Sequence, residues 1–168
     1  MKILFLIHGV GRPSSRYRVL QYIPYLRAKG VALRAVPAPK GLLPWLRLLR
    51  SISPDEVIFL QRKRPPLLFL QMLKKKGERL IYDFDDAVMF RGPWASSPYS
   101  RTRERRFAHT VRSADRVIAG NRFLWEQARR FTEKVTVIPT ALDLSRYKLK
   151  EWGAGEGVTI GWIGTSST

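Results

Sequence analysis

Lys2-Ile3-Leu4-Phe5-Leu6-Ile7-His8-Gly9-Val10-Gly11-Arg12-Pro13-Ser14-Ser15-Arg16 is the stretch on which the fold turns. Its apolar run lacks the polar alternation of a half-exposed strand, so it reads as a strand buried on both faces, as in parallel sheets. It could also pass for a short secretory segment, but it runs into His8-Gly9 with no small-residue cleavage site. A loop holding Gly9 and Gly11 follows. Beyond it a helical pattern spans residues 14–29, capped by Ser14 or Ser15, kinked at Pro24 and ended by Gly30.

The same alternation continues along the chain. Strands are expected at 31–36, 57–60, 80–82, 116–119 and 135–138. Between them lie helices at 42–50, 67–73 (running into Lys74-Lys75-Lys76-Gly77), 99–113 and 122–131, the last capped by Asn121. A long loop occupies 84–98. Strands separated by helices specify an α/β fold, a Rossmann-like open parallel sheet with helices on both faces. Residues 1–140 form that domain. Residues 141–157, with three glycines, read as a linker. Residues 158–168 read as the first strand and loop of another α/β unit, truncated at its first turn.

With 45% apolar residues the chain can build a core, and no apolar run reaches the roughly 18 residues that span a bilayer. Zero cysteines excludes disulfides and thiolate metal sites and fits a reducing compartment, so the expected location is cytoplasmic. Charge is the unusual feature: 31 Lys and Arg against 13 Asp and Glu, a formal +18. Such a field suits a solvated basic surface, an anionic membrane or acceptor, or nucleic acid. Nucleic-acid binders interleave aromatics with an exposed basic patch. Here most aromatics fall in strands and helix cores, so no nucleic acid is expected.

The first loop carries Gly9, Gly11, Arg12, Ser14, Ser15, Arg16 and Arg18, a set that suits a phosphate or carboxylate at a helix N-terminus. The dinucleotide fingerprint also needs an acid ending the second strand, where this chain has Val36-Pro37-Ala38. The nucleotide-phosphate loop fails for want of Gly-Lys-Ser/Thr. Three acids lie in Asp83-Phe84-Asp85-Asp86, after the fourth strand, where open α/β sheets collect ligands. Four uses fit them: capping or pairing with Arg91 and Arg101, chelating a metal for a nucleotide sugar, phosphatase chemistry of the haloacid-dehalogenase type, or contacts to sugar hydroxyls. The phosphatase needs a downstream acidic pair that is lacking. His8 ends the first strand and His109 lies in the basic helix; two histidines without repeated spacing make no metal site. Helices 42–50 and 67–73, apolar with basic edges, suit either a core position or a membrane interface.

Ser113-Ala114-Asp115-Arg116-Val117-Ile118-Ala119-Gly120-Asn121 and Val135-Thr136-Val137-Ile138-Pro139-Thr140-Ala141-Leu142-Asp143 together resemble the two-domain (GT-B) glycosyltransferases, in particular the retaining group called glycosyl transferases group 1. Ser15-Arg16-Tyr17-Arg18, Asp83-Phe84-Asp85-Asp86 and Ile160-Gly161-Trp162-Ile163-Gly164-Thr165 look like further pieces of that pattern in its order. The resemblance implies an N-terminal, acceptor-side domain, a C-terminal domain missing here, and transfer from a nucleotide-sugar donor to a carbohydrate or lipid-linked acceptor of the cell envelope. It implies no bound metal or cofactor. Gly9, Gly11, Arg12, Ser14, Ser15, Arg16, Arg18, Asp83 and Asn121 would bind substrate, Gly164 and Thr165 would border the donor diphosphate, and Asp85 and Asp86 are the catalytic candidates. The positive field implies an acceptor that is anionic or on an anionic membrane, with the protein peripheral at the inner face. The alternative is a non-catalytic basic module for membrane or nucleic acid.

Overall fold

The computed structural model describes residues 1–146 together with Ile160 and Gly161. The rest of the expected strand and loop at 158–168, including Gly164 and Thr165, lies outside the described residues, as does most of the linker; within its described part Leu144–Arg146 forms one turn of 3-10 helix.

Among the described residues, six strands form one parallel sheet: β1 (Lys2–Ile7), β2 (Ala32–Pro37), β3 (Glu56–Gln61), β4 (Arg79–Phe84), β5 (Arg116–Ala119) and β6 (Val135–Val137). Their spatial order is β2-β1-β3-β4-β5-β6. The chain therefore goes from β1 to one neighbour and then crosses to the other. This reversal opens a crevice at the carboxyl ends of β1 and β3, where ligands collect in open parallel sheets.

The strands are connected by the helices α1 (Pro13–Arg18), α2 (Ile23–Ala28), α3 (Leu42–Arg50), α4 (Leu67–Lys76), α5 (Arg101–Ser113) and α6 (Arg122–Arg129). The larger core cluster joins alternate residues of β1, β3, β4 and β5 to Trp45, Leu49, Leu70, Leu73, Phe107, Val111 and Leu124, so α3 to α6 share one face. The smaller cluster, Phe5, Ile7 and Val19 with Leu20, Leu26, Leu33 and Phe59, seats α1 and α2 on the other. Tyr82 and Phe84 stack at 5.3 Å beneath the edge of Phe107, and these rings occupy the centre of the sheet.

The expected helix at 14–29 is two short helices. Val19, at φ −133° and ψ −62°, breaks it, and one 3-10 turn at Leu20–Tyr22 reconnects it. Pro24 does not kink a running helix; it sits in the first turn of α2, where a missing amide costs nothing. Neither Ser14 nor Ser15 caps α1, whose N-cap is Arg12 with no side-chain bond. Gly30 does close α2, at φ +74°, and the amides of Gly30 and Val31 return to the carbonyls of Arg27 and Leu26. Asn121 caps α6 as expected, its Oδ1 accepting from Leu124 N at 2.9 Å. Ser100 caps α5 in the same way.

Candidate functional site at the carboxyl edge of the sheet

Gln61, the last residue of β3, is fully buried. Its Oε1 accepts from His8 N at 3.1 Å and from Ser15 Oγ at 3.0 Å. Ser15 Oγ in turn accepts from Gly9 N at 3.3 Å. A backbone amide can only donate, so the His8 contact fixes which end of the Gln61 amide is oxygen. One buried side chain thereby ties the ends of β1 and β3 to the first loop and to α1.

This arrangement alters the role expected for the first loop. The amides of Gly9 and Arg12 turn inward, to Ser15 Oγ and to the Gly9 carbonyl, and α1 is only six residues long. Neither of these two amides is left for a ligand. The loop contributes side-chain charge instead: Arg12 and Arg16 are exposed, with Arg16 stacked over Tyr17 at 4.6 Å. Gly11 is open to solvent and Ser14 half-buried.

Arg18 and Asp83 form a buried ion pair joining α1 to the end of β4. Arg18 Nε donates to Asp83 Oδ2 at 3.3 Å, and its Nη1 donates to the Ile138 carbonyl at 2.6 Å. Both residues were expected to meet substrate, but the structure engages them with each other. A buried carboxylate needs a paired cation to remain charged, and the guanidinium fork supplies it in this geometry.

Asp85 and Asp86 diverge. Asp86 is exposed and paired with Arg62, the one non-glycine described residue with positive φ, at +59°. Asp85 is half-buried, and Gly120 lies directly against it: a Cβ there would come within 3.0 Å of Asp85 Cα. Burial, with the neighbouring charge of Asp86, holds the Asp85 carboxyl above the usual carboxylate range. His8 is pushed the other way, down to about 4, first by burial and then by Lys63, Arg62 and Arg12. Its imidazole is neutral at pH 7.

Among the described residues, three buried side-chain atoms have no hydrogen-bond partner: His8 Nδ1, Gln61 Nε2 and Asp85 Oδ1. They follow or end β1, β3 and β4, three adjacent strands, at one edge of the sheet. Buried polar atoms without partners are uncommon, and these three lie just beneath the surface of a topological switch point, where ligands collect in open parallel sheets. Cations crowd its rim: burial lowers the pKa of Lys63, and the charges of Lys40, Arg62, Arg12 and Arg64 lower it further.

Asn121 stands at the start of α6, its side-chain oxygen engaged by the cap. Sequence reading did not include Gln61 in the site. Its signal was a polar residue ending an otherwise apolar strand, one position beyond the expected end. His8 was noticed only for its place. Among the described residues, no group of three His, Cys, Asp or Glu could hold a metal ion, and no helix is long and apolar enough to cross a membrane. Comparison of the chain with protein-family models, with curated proteins and with solved structures gave no match.

Proposed function

We propose that this domain forms the acceptor-side wall of a glycosyltransferase cleft. It would act in a longer protein whose second domain holds the nucleotide-sugar donor, with Gly164 and Thr165 beside the diphosphate. The observation that carries the reading is the trio of partnerless polar atoms on His8, Gln61 and Asp85. A neutral imidazole, an amide NH2 and a carboxyl oxygen together match the mixed donor and acceptor pattern of sugar hydroxyls. The surrounding Arg12, Lys40 and Lys63 favour an acceptor with a negative group. A nucleotide fits this lobe less well, because the first loop's Gly9 and Arg12 amides are engaged internally and β2 ends without an acid.

In the reaction the anomeric carbon exchanges its bond to a diphosphate oxygen for one to an acceptor oxygen, with retention, and the acceptor's proton leaves with the diphosphate. Asp85 orients the acceptor hydroxyl, and Gln61 holds its neighbour. The test is nucleoside diphosphate release by the full-length gene product across a panel of nucleotide hexoses and glycan acceptors. Acceptor-dependent release, reduced tenfold or more by Asp85→Asn, supports the proposal. It fails if no donor turns over and none binds.

A basic binding module remains the second reading because of one feature. Arg101, Arg105, Arg112 and His109 line an open groove of about 390 Å³ on α5, away from the polar trio. Salt-sensitive retention on DNA, lost when these arginines are replaced, together with no sugar-nucleotide binding by the full-length protein, would favour it.

A further inference from the structure

The two apolar helices are largely core elements. Trp45, Leu48 and Leu49 of α3 and Leu70 and Leu73 of α4 are buried against the sheet, and Trp45 stacks on Phe69 at 5.0 Å, holding the helices side by side. Their first turns behave differently. Leu42 is 61% exposed, Leu43 67% and Leu68 61%, with Leu67 also in the open. Both helices follow parallel strands, β2 and β3, so both first turns project from the carboxyl edge of the sheet. Four leucines thus stand together at one end of a helix pair. The outward cations of the same helices, Arg47 and Arg50 on α3 and Lys74 to Lys76 on α4, fall toward the opposite end.

Such a cluster of apolar side chains needs a cover, and its surroundings specify one. Lys40 precedes α3 by two residues and Lys63 lies on the segment leading into α4, between Arg62, paired with Asp86, and Arg64, which donates to the Val88 carbonyl. Arg12 is near enough for its charge to act on Lys63. Apolar tips within a collar of cations match an anionic lipid surface, where leucines enter the acyl boundary and the collar meets the headgroups. A second copy of the chain would bring an identical cationic collar against this one, with like charges opposed.

We propose that the paired tips of α3 and α4 dock the protein on an anionic membrane, with Leu42, Leu43, Leu67 and Leu68 inserted at the headgroup boundary. The proposal stands independently of sugar transfer. It also orients the molecule: the docked edge is the one bearing His8, Gln61 and Asp85, so a ligand anchored in the same leaflet lies beside the polar trio.

A chain of charge +18 adsorbs to any anionic surface, so the test must locate the contact. The absence of cysteine allows a single environment-sensitive fluorophore to be attached at Leu43→Cys, at Leu68→Cys or, as the far-end control, at Lys75→Cys. With phosphatidylglycerol vesicles, the labels at 43 and 68 should shift to the blue and brighten severalfold while the label at 75 does not. Neutral phosphatidylcholine vesicles should leave all three unchanged. The unlabelled Leu43→Ser/Leu68→Ser double variant, its folding checked by circular dichroism, should lower partitioning onto anionic vesicles about tenfold. Equal response at both ends, binding indifferent to the serine variant, or a blue shift without lipid that tracks dimer formation each overturns the proposal.

Discussion

Arg18 and Asp83 illustrate how one residue pair acts at this edge of the sheet. Removing only the cation leaves a buried carboxylate without a counter-charge, a loss of about 3–5 kcal/mol in comparable cases. Arg18→Met should therefore lower stability to urea by that order, and Arg18→Met/Asp83→Leu should recover most of it. Two losses that simply add would mean the pair is not coupled. His8 gives a pH signature. Its folded pKa, about 4, lies below the ordinary 6.5, so below pH 6.5 the unfolded chain takes up a proton that the native chain refuses. Stability should fall as pH drops from 6.5 towards 4, and His8→Asn should flatten that slope in denaturation midpoints measured across the range. Asp85, with a raised pKa, acts in the opposite direction, regaining stability as pH falls towards its unfolded value. The His8 slope is therefore best taken as the difference between the protein with and without the imidazole.

At the scale of elements, glycines fix where chains approach. A Cβ on Gly77, at the end of α4, would lie 2.7 Å from Ile58 Cδ1 and 2.8 Å from the Glu56 carbonyl. Backbone cannot yield as a side chain can, so Gly77→Ala should cost about 1–3 kcal/mol by thermal denaturation. An unchanged midpoint would show that the α4–β3 junction has room. The strands were legible because six apolar runs, separated by helical patterns, leave few alternatives to a parallel sheet. Helix 14–29 was not legible as two pieces, since the break is at Val19, which has no breaking tendency of its own; its side chain is buried in the smaller core cluster. Ser15 was misread for a related reason. It has the chemistry of a cap, but Gln61, 46 residues away, takes its hydroxyl. The long loop after β4 was placed correctly, yet not the arginines that hold it, Arg64 on the Val88 carbonyl and Arg103 on that of Phe90. Such long-range pairings leave no periodic trace in a sequence.

At the scale of the molecule, the described residues form a six-stranded parallel sheet whose carboxyl edge concentrates what the core cannot satisfy. Its acids were legible there because open α/β sheets place ligands at strand ends. Their division into an Asp83 paired with Arg18, an Asp86 paired with Arg62 and an Asp85 with one unpartnered oxygen depends on long-range pairings that the sequence does not display. The most direct measurement is a heteronuclear NMR titration of the chain with a glycosyl phosphate, which combines hydroxyls with an anion. If the edge is a ligand seat, the side-chain amide pair of Gln61 and the backbone amides of Gly9 and Ser15 shift together and saturably. Shifts confined to the α5 arginines, or none at all, would contradict it.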